Sequence, residues 1–309
     1  MVIVFGSVNL DLVAAAERLP RAGETILGTS FAMNPGGKGA NQALAARRAG
    51  ADVALYAAVG DDAFAHAALA RLRAEGVDLG GVVTDSAPTG VALIGVDAKG
   101  ENCITVVPGA NAHAHAAIVP DTALGPNTTV VLQLETSLKA VAGVASRAHA
   151  RRARVLLNAA PAARLPVALI RALDVLIVNQ REAAAIAGVL DAPTGPTAFA
   201  RALTRRFGIA TIVTLGKRGA LAAFEERRYQ IPSPEIAVVD SVGAGDAFVG
   251  VLAAALDRGA PWPRALAEAV AAGSLACTAR GAQSALPKRA GIDKLASTIE
   301  SHIRIDPLG

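Results

Sequence analysis

Asp240-Ser241-Val242-Gly243-Ala244-Gly245-Asp246 sets three small residues before a carboxylate, at the head of the apolar run Ala247–Leu256. Small residues leave backbone N–H groups bare. A helix that opens there aims those groups, together with its dipole, at an anion. A carboxylate in that place opposes the anion unless it takes a proton from a nucleophile attacking it. Turn, dipole and base together suggest phosphoryl transfer. The same residues also suit a tight strand-to-helix turn whose Asp simply favours the dipole, and this run alone does not decide between the two.

A second glycine-rich run, Asn34-Pro35-Gly36-Gly37-Lys38-Gly39-Ala40-Asn41, also opens a helical pattern. It lacks the spacing of the nucleotide-binding P-loop, and no G-x-G-x-x-G follows the first strand, so a dinucleotide site is unsupported. Paired glycines let a backbone approach a small polar ligand closely. Asn41 adds an amide that can donate to a hydroxyl and accept from one. The plainer alternative is a glycine-rich helix start with Lys38 in solvent.

Strand-length apolar runs must position these motifs: Val2–Val8, Val53–Val59, Thr129–Leu134, Val155–Asn158, Val175–Asn179 and Ile209–Leu215. Continuous Val/Ile/Leu runs suit parallel strands buried on both faces. Helical patterns lie between and after them: Gly39–Ala49, Ala63–Glu75, Leu138–Ala150, Leu165–Ala172, Thr197–Phe207 and Pro263–Ala279. The alternation predicts an α/β fold with an open, doubly wound, mostly parallel sheet flanked by helices. Thr89–Asp97 and Asn102–Val107 read instead as a hairpin, and Glu17–Phe31 as an extended segment. We expect these to form a small second sheet, a lid built from about residues 12–33 and 89–108, on a single domain spanning 1–309. Asp191–Pro196 reads as a surface loop. Ligands of such sheets bind beyond the carboxyl ends of the strands. Asn9 and Asp11, Glu135, Asn158, Asn179 and Gly216 all follow predicted strands at that edge.

Composition narrows the classes. Of 309 residues 52% are hydrophobic but only 3% aromatic, so Ala, Val and Leu must build the core. The net charge of +4 mildly suits an anionic substrate. Arg151-Arg152-Ala153-Arg154 and Arg205-Arg206 are short and read as solvated helix ends, and aromatics are too few for a nucleic-acid stacking surface. Cys103 and Cys277 follow no metal or redox spacing, which fits a reducing cytoplasm. The N-terminus reads as a core strand, not a leader, and no apolar run approaches the roughly 18–20 residues that span a bilayer. His113 and His115 lie two apart, a spacing that does not place them on one helix face.

Asn9-Leu10-Asp11, Gly36–Asn41 and Asp240–Asp246 resemble the three signature regions of the ribokinase family, the PfkB-type sugar kinases, and the similarity runs over almost the full length. Gly36–Ala43, Thr89-Gly90-Val91-Ala92-Leu93, Gly109-Ala110-Asn111 and Gly281-Ala282-Gln283 point within the family to conversion of D-ribose to D-ribose 5-phosphate. The resemblance implies a ribokinase-like fold with a small β-sheet lid. It implies Asp246 as the base acting on a sugar primary hydroxyl, and the amides of Gly243, Ala244 and Gly245 as the anion hole. Asn9, Asp11, Gly37, Lys38, Gly39, Asn41 and Glu135 match the family's sugar contacts. Asn179, Thr214, Gly216, Gly219 and Gly245 match its ATP side.

Within Asn179-Gln180-Arg181-Glu182, the resemblance assigns Glu182 to Mg2+ through water. It assigns Asp240, Val242, Ala276, Ala279 and Gly281 to an activating K+ held largely by carbonyl oxygens. Where the family offers that ion a serine hydroxyl, this chain has Ala285, with Ser284 beside it. The partners so implied are a sugar and ATP, with no nucleic acid or membrane, in a homodimer paired through the lid sheets. A fructokinase, a ketodeoxygluconate kinase or a nucleoside kinase would share the chemistry and differ in the sugar contacts. A non-catalytic sensor on the same fold would be expected to lack the base or the glycines, and Asp246, Gly243 and Gly245 are all present.

Overall fold

A computed structural model describes all 309 residues. β1 (Val2–Phe5) passes into β2 (Asn9–Ala15), and β3 (Ser30–Gly36) runs into α1 (Lys38–Arg48). β4 (Val53–Gly60), α2 (Ala63–Ala74) and β5 (Asp78–Asp85) follow, then the hairpin β6 (Gly90–Val96) and β7 (Asn102–Val107). Next come β8 (Thr129–Leu132), α3 (Leu138–Ala150), β9 (Arg154–Asn158), α4 (Val167–Ile170) and β10 (Val175–Asn179). α5 (Gln180–Leu190), α6 (Pro196–Phe207) and β11 (Ala210–Thr214) lead to β12 (Ala220–Phe224) and β13 (Arg227–Ile231). α7 (Ala244–Asp257), α8 (Trp262–Ala276), α9 (Ala282–Ala285), α10 (Arg289–Glu300) and β14 (Arg304–Pro307) complete the chain.

Ten strands form the main sheet in the order β14-β13-β12-β11-β10-β9-β8-β1-β4-β5. From β11 to β5 all neighbours are parallel, whereas β12, β13 and β14 join antiparallel. Strand residues point alternately to two cores, as the two-residue period requires. Val2 and Val4 meet α1, α7 and α8 on one face, and Ile3 and Phe5 meet α3, α5 and α6 on the other. A sheet covered on both faces explains why its central strands read as unbroken apolar runs.

The second sheet has the order β3-β2-β6-β7, with β2 and β6 parallel and the outer pairs antiparallel. Its register puts Asn9, Asp11, Asn34, Ala92 and Val106 on one face. Leu10, Leu12, Met33, Leu93 and Val107 lie on the other. Leu10 and Leu12 pack on the main core, while Met33, Leu93, Ile104 and Val106 are exposed farther out.

Several element boundaries differ from the sequence reading. The first apolar run stops at Phe5, because Gly6 and Ser7 let the chain leave the main sheet, so Asn9 and Asp11 lie inside β2 rather than after β1. The extended segment expected at Glu17–Phe31 is mostly irregular around Pro20 and Gly23, and the strand runs from Ser30 to Gly36. Leu165–Ala172 yields only the single turn of α4, entered through Pro166.

Candidate active site

Helix α7 begins at Gly243, whose φ of 76° is left-handed, and carries Asp246 in its first turn. The first backbone N–H groups of a helix have no acceptor within it. Gly245 therefore presents one of the donors expected from sequence, whereas the Ala244 N–H donates to the Ser241 carbonyl at 3.3 Å, and Asp246, 6% exposed, stands beside them. α7 packs closely on α1 because Gly250 has no side chain. A Cβ there would lie 2.4 Å from the Gln42 carbonyl and 2.6 Å from Ala45 Cβ. Gly250 sits one helical turn beyond Asp246, so the same contact brings the Asp246 carboxylate onto the start of α1. Asn41 Nδ2 donates to Asp246 Oδ2 at 2.9 Å, and Gln42 Nε2 donates to Asp246 Oδ1 at 2.9 Å.

The sugar-side expectations converge around this pair. The Lys38 backbone N donates to Glu135 Oε2 at 2.9 Å, and Ser7 Oγ donates to the same oxygen at 2.6 Å. The Gly39 N–H donates to Ser7 Oγ at 3.3 Å. Asn9 Oδ1 accepts from Asn111 Nδ2 at 2.7 Å, and Asn111 also bonds both backbone groups of Val8. Asn41 Oδ1 is buried with no protein partner, so an acceptor remains free for a hydroxyl.

Electrostatics tie these groups together. Burial, then the nearby Glu135 and Asp246 carboxylates, push Asp11 up to about 6. Asp246, then Glu135 and Glu182, hold the Lys38 ammonium above its ordinary value despite burial, so it stays charged. Burial raises Glu182, with Asp246 adding to the effect.

The nucleotide-side residues gather on neighbouring strand ends. Asn179 and Thr214 are paired across β10 and β11. Asn179 caps α5 by accepting from the Arg181 and Glu182 amides, while Glu182 accepts from Asn179 N at 2.7 Å and Nδ2 at 2.8 Å. Gly216–Arg218 forms a short 3-10 turn ending at Gly219. A cavity of about 1220 Å3 opens beside it, lined in part by Leu215, Arg218, Ile231, Ser233 and His302. It lies on this side of the molecule and does not include Asp246.

Behind the anion loop, Asp240 Oδ1 accepts from Val242 N at 3.0 Å and Oδ2 from Gly281 N at 2.9 Å. The carboxylate thus clamps together two of the segments assigned to K+. Ala276 is buried and Ala279 exposed at the end of α8 and just past it. Ser284 Oγ donates to the Arg280 carbonyl, and Ala285 is buried.

Sequence reasoning passed over Gln42, Gln133, Ser7 and Asn111 as site residues. Gln42 lay inside the quoted glycine-rich run and Asn111 inside a quoted motif, but Gln133 and Ser7 carried no spacing signal. Their side-chain pairings join residues 91 to 204 apart in the chain.

The pfkB family carbohydrate kinase model matches residues 1–289. The ribokinase of Bacillus subtilis is 38% identical over 304 residues, covering 96% of this chain and 99% of the relative. A crystal structure of ribokinase from Thermotoga maritima superposes with a TM-score of 0.88 at 28% identity, covering 96% of this chain and 99% of that one. A structure of Arabidopsis thaliana ribokinase complexed with ribose and ATP gives a TM-score of 0.86 at 30% identity, covering 96% and 98%. No helix is long and apolar enough to cross a membrane. The fold is that of the ribokinases, and the chain belongs to the pfkB family of carbohydrate kinases.

Proposed function

We propose that this chain transfers the γ-phosphoryl group of ATP to the primary hydroxyl of D-ribose, giving D-ribose 5-phosphate and ADP. The observation that carries the reading is the buried Asp246 carboxylate, held by Asn41 and Gln42 at the amide-bearing start of α7. Asp246 takes the hydroxyl proton as the sugar oxygen bonds to the γ-phosphorus and the bond to the ADP oxygen breaks. The amides of Gly243, Ala244 and Gly245 receive the phosphoryl oxygens, the largest electrostatic contribution in sites of this kind. The charged Lys38 lies within the field of Asp246, Glu135 and Glu182 and offsets the added negative charge. Asn9, Asp11, Gly37, Gly39, Asn41 and Glu135 hold the sugar, and Asn179, Thr214, Gly216 and Gly219 hold the nucleotide.

The residues present fit Mg2+ arriving with the nucleotide. Both Glu182 oxygens are engaged by Asn179, and no cluster of three His, Cys, Asp or Glu exists to hold a divalent ion outright. Glu182 would therefore reach Mg2+ through water, and the ion would supply positive charge against the phosphates. For K+, the Asp240 clamp keeps the Val242 and Gly281 segments together, and backbone carbonyls there and at Ala276 and Ala279 suit a hard cation. Neither Ala285 nor the turned-away Ser284 adds a hydroxyl, so the ligands would be carbonyls.

The outer part of the small sheet exposes Phe31, Met33 and Leu93 on one face and Ile104 and Val106 on the other. Apolar faces and free strand edges of this kind need cover. A homodimer paired through these sheets supplies it, and a monomer by light scattering at micromolar concentration would overturn that part of the proposal. Free cysteines, Cys103 among them exposed, support a reducing compartment such as the cytoplasm.

The deciding experiment pairs a sugar panel with one variant. ADP release is measured with ribose, 2-deoxyribose, fructose and nucleosides, with and without K+. Ribose should give the highest kcat/KM. Asp246→Asn should lower kcat by about 10²–10⁴-fold while sugar affinity stays within a few-fold. Turnover near that of the wild type would sink the base, and preference for a nucleoside would sink the substrate.

A further inference from the structure

Gln42 is completely buried, and every polar atom of its side chain is used. Its Nε2 donates to Asp246 Oδ1 at 2.9 Å and to Asn158 Oδ1 at 3.1 Å. Its Oε1 accepts from Gln133 Nε2 at 2.7 Å. The two neighbours fix which way the amide faces. Asn158 directs its own Nδ2 to the Ile177 carbonyl at 3.3 Å, so its oxygen faces Gln42. Gln133 presents a donor, which only the Gln42 oxygen can accept. With a donor on one side and two acceptors on the other, the amide has one satisfied orientation.

The partners come from the main sheet. Gln133 follows β8, Asn158 ends β9 and Ile177 belongs to β10, so three adjacent parallel strands set the angle of one side chain on α1. That side chain in turn holds one oxygen of the Asp246 carboxylate on α7. The other oxygen takes its donor from Asn41, whose own Oδ1 is buried without a protein partner.

We infer that Gln42 is a positioning residue for the reaction: oriented by Gln133 and Asn158, it fixes the rotation of the Asp246 carboxylate. The inference rests on Asp246 being the base. A carboxylate with two fixed donors cannot rotate about its terminal bond without losing one, so its remaining lone pairs keep a constant direction toward the incoming hydroxyl. The other charged groups that feel Asp246 are Lys38 of α1, Asp11 of β2 and Glu182 of α5. Substituting Gln42 leaves all three in place.

The test uses the full chain, ribose and ATP, with Gln42→Leu and Gln42→Glu read against Asp246→Asn. Gln42→Leu should lower kcat by about 10- to 100-fold, the worth of a bond to a charged group, while sugar KM changes by less than about threefold. Gln42→Glu preserves size and can donate only when protonated, so its kcat should fall with rising pH where the wild type does not. This second variant decides the matter if Gln42→Leu does not fold. Wild-type kcat in Gln42→Leu, or a pH profile of wild-type shape in Gln42→Glu, would overturn the inference. An inert Asp246→Asn beside either result would remove the role of Gln42 and leave the base standing. An active Asp246→Asn would remove the base itself.

Discussion

The two sides of Asp246 are built differently. On the proposed acceptor side, Asn9, Asn41, Gln42, Asn111 and Gln133 are all 5% exposed or less, bond to one another, to Asp246 or to the backbone, and leave Asn41 Oδ1 and Gln133 Oε1 without a protein partner. On the proposed phosphate side, Gly216 and Gly245 are exposed and Val242 is 51% exposed, with side-chain ties at Asp240 and in the local Asn179–Glu182 capping box. A sugar offers neutral hydroxyls whose direction matters, and buried amides are tolerated only when well partnered. A triphosphate carries its own charge and finds backbone amides whose direction a helix already sets. Specificity thus resides in side chains on one side and in main chain on the other.

The sharpest way to break this contrast is Gly243→Ala. Gly243 has φ of 76°, and a Cβ would lie 3.0 Å from Ala282 Cα, so the start of α7 must shift. We expect kcat to fall by about 100-fold while sugar affinity, measured calorimetrically without nucleotide, is unchanged. A matching loss of sugar affinity would show that the two sides are one unit.

Next in size is Asp11→Asn. Folding raises the Asp11 pKa from 3.8 to about 6, so the folded chain binds more protons than the unfolded chain between those values. Stability from this group is therefore full below pH ~4 and lost as pH rises through ~6. Removing the charge should raise stability at pH 7 by about 2 kcal/mol, discounted for partial exposure, and flatten the Tm profile between pH 4 and 6. A variant that is less stable at pH 7 would show that the Asp11 charge is compensated in a way the acceptor side does not reveal.

Glu135→Gln is the mildest. It keeps an oxygen for Ser7 Oγ and the Lys38 N–H but removes the charge that strengthens those bonds. Sugar KM should rise by about 5- to 10-fold with kcat nearly constant. An equal effect on nucleotide KM alone would reverse the assignment of Glu135 to the acceptor side.

The phosphate side was more legible in sequence than the acceptor side, for a physical reason. Backbone donors require glycine at fixed spacing from a helix start, so Gly243–Asp246 announces itself locally. Asn179 and Glu182 likewise form a capping box within four residues. Acceptor-side contacts join residues from distant strands, and only folding reveals that Gln42 meets Gln133, or Ser7 meets Glu135. The central parallel strands were readable because both faces are apolar. β13 was not, since Arg228 and Gln230 alternate there with the core residues Tyr229 and Ile231, and β14 lies largely exposed. The departure of β2 from the main sheet was hidden because Val8 and Leu10 are as buried as β1.

That departure has a mechanical consequence. Asn9 and Asp11 sit at the root of the small sheet, close to the few residues joining it to β1, while Ala15 lies six residues beyond Asn9 along the same strand. A strand is a lever of about 3.3 Å per residue. Any tilt about the root therefore moves Asp11 roughly a third as far as Ala15. Motion at the tip is geared down before it reaches the sugar contacts, and a force applied there is multiplied in the same ratio. Whatever grips the outer sheet holds the fulcrum end steady with little effort.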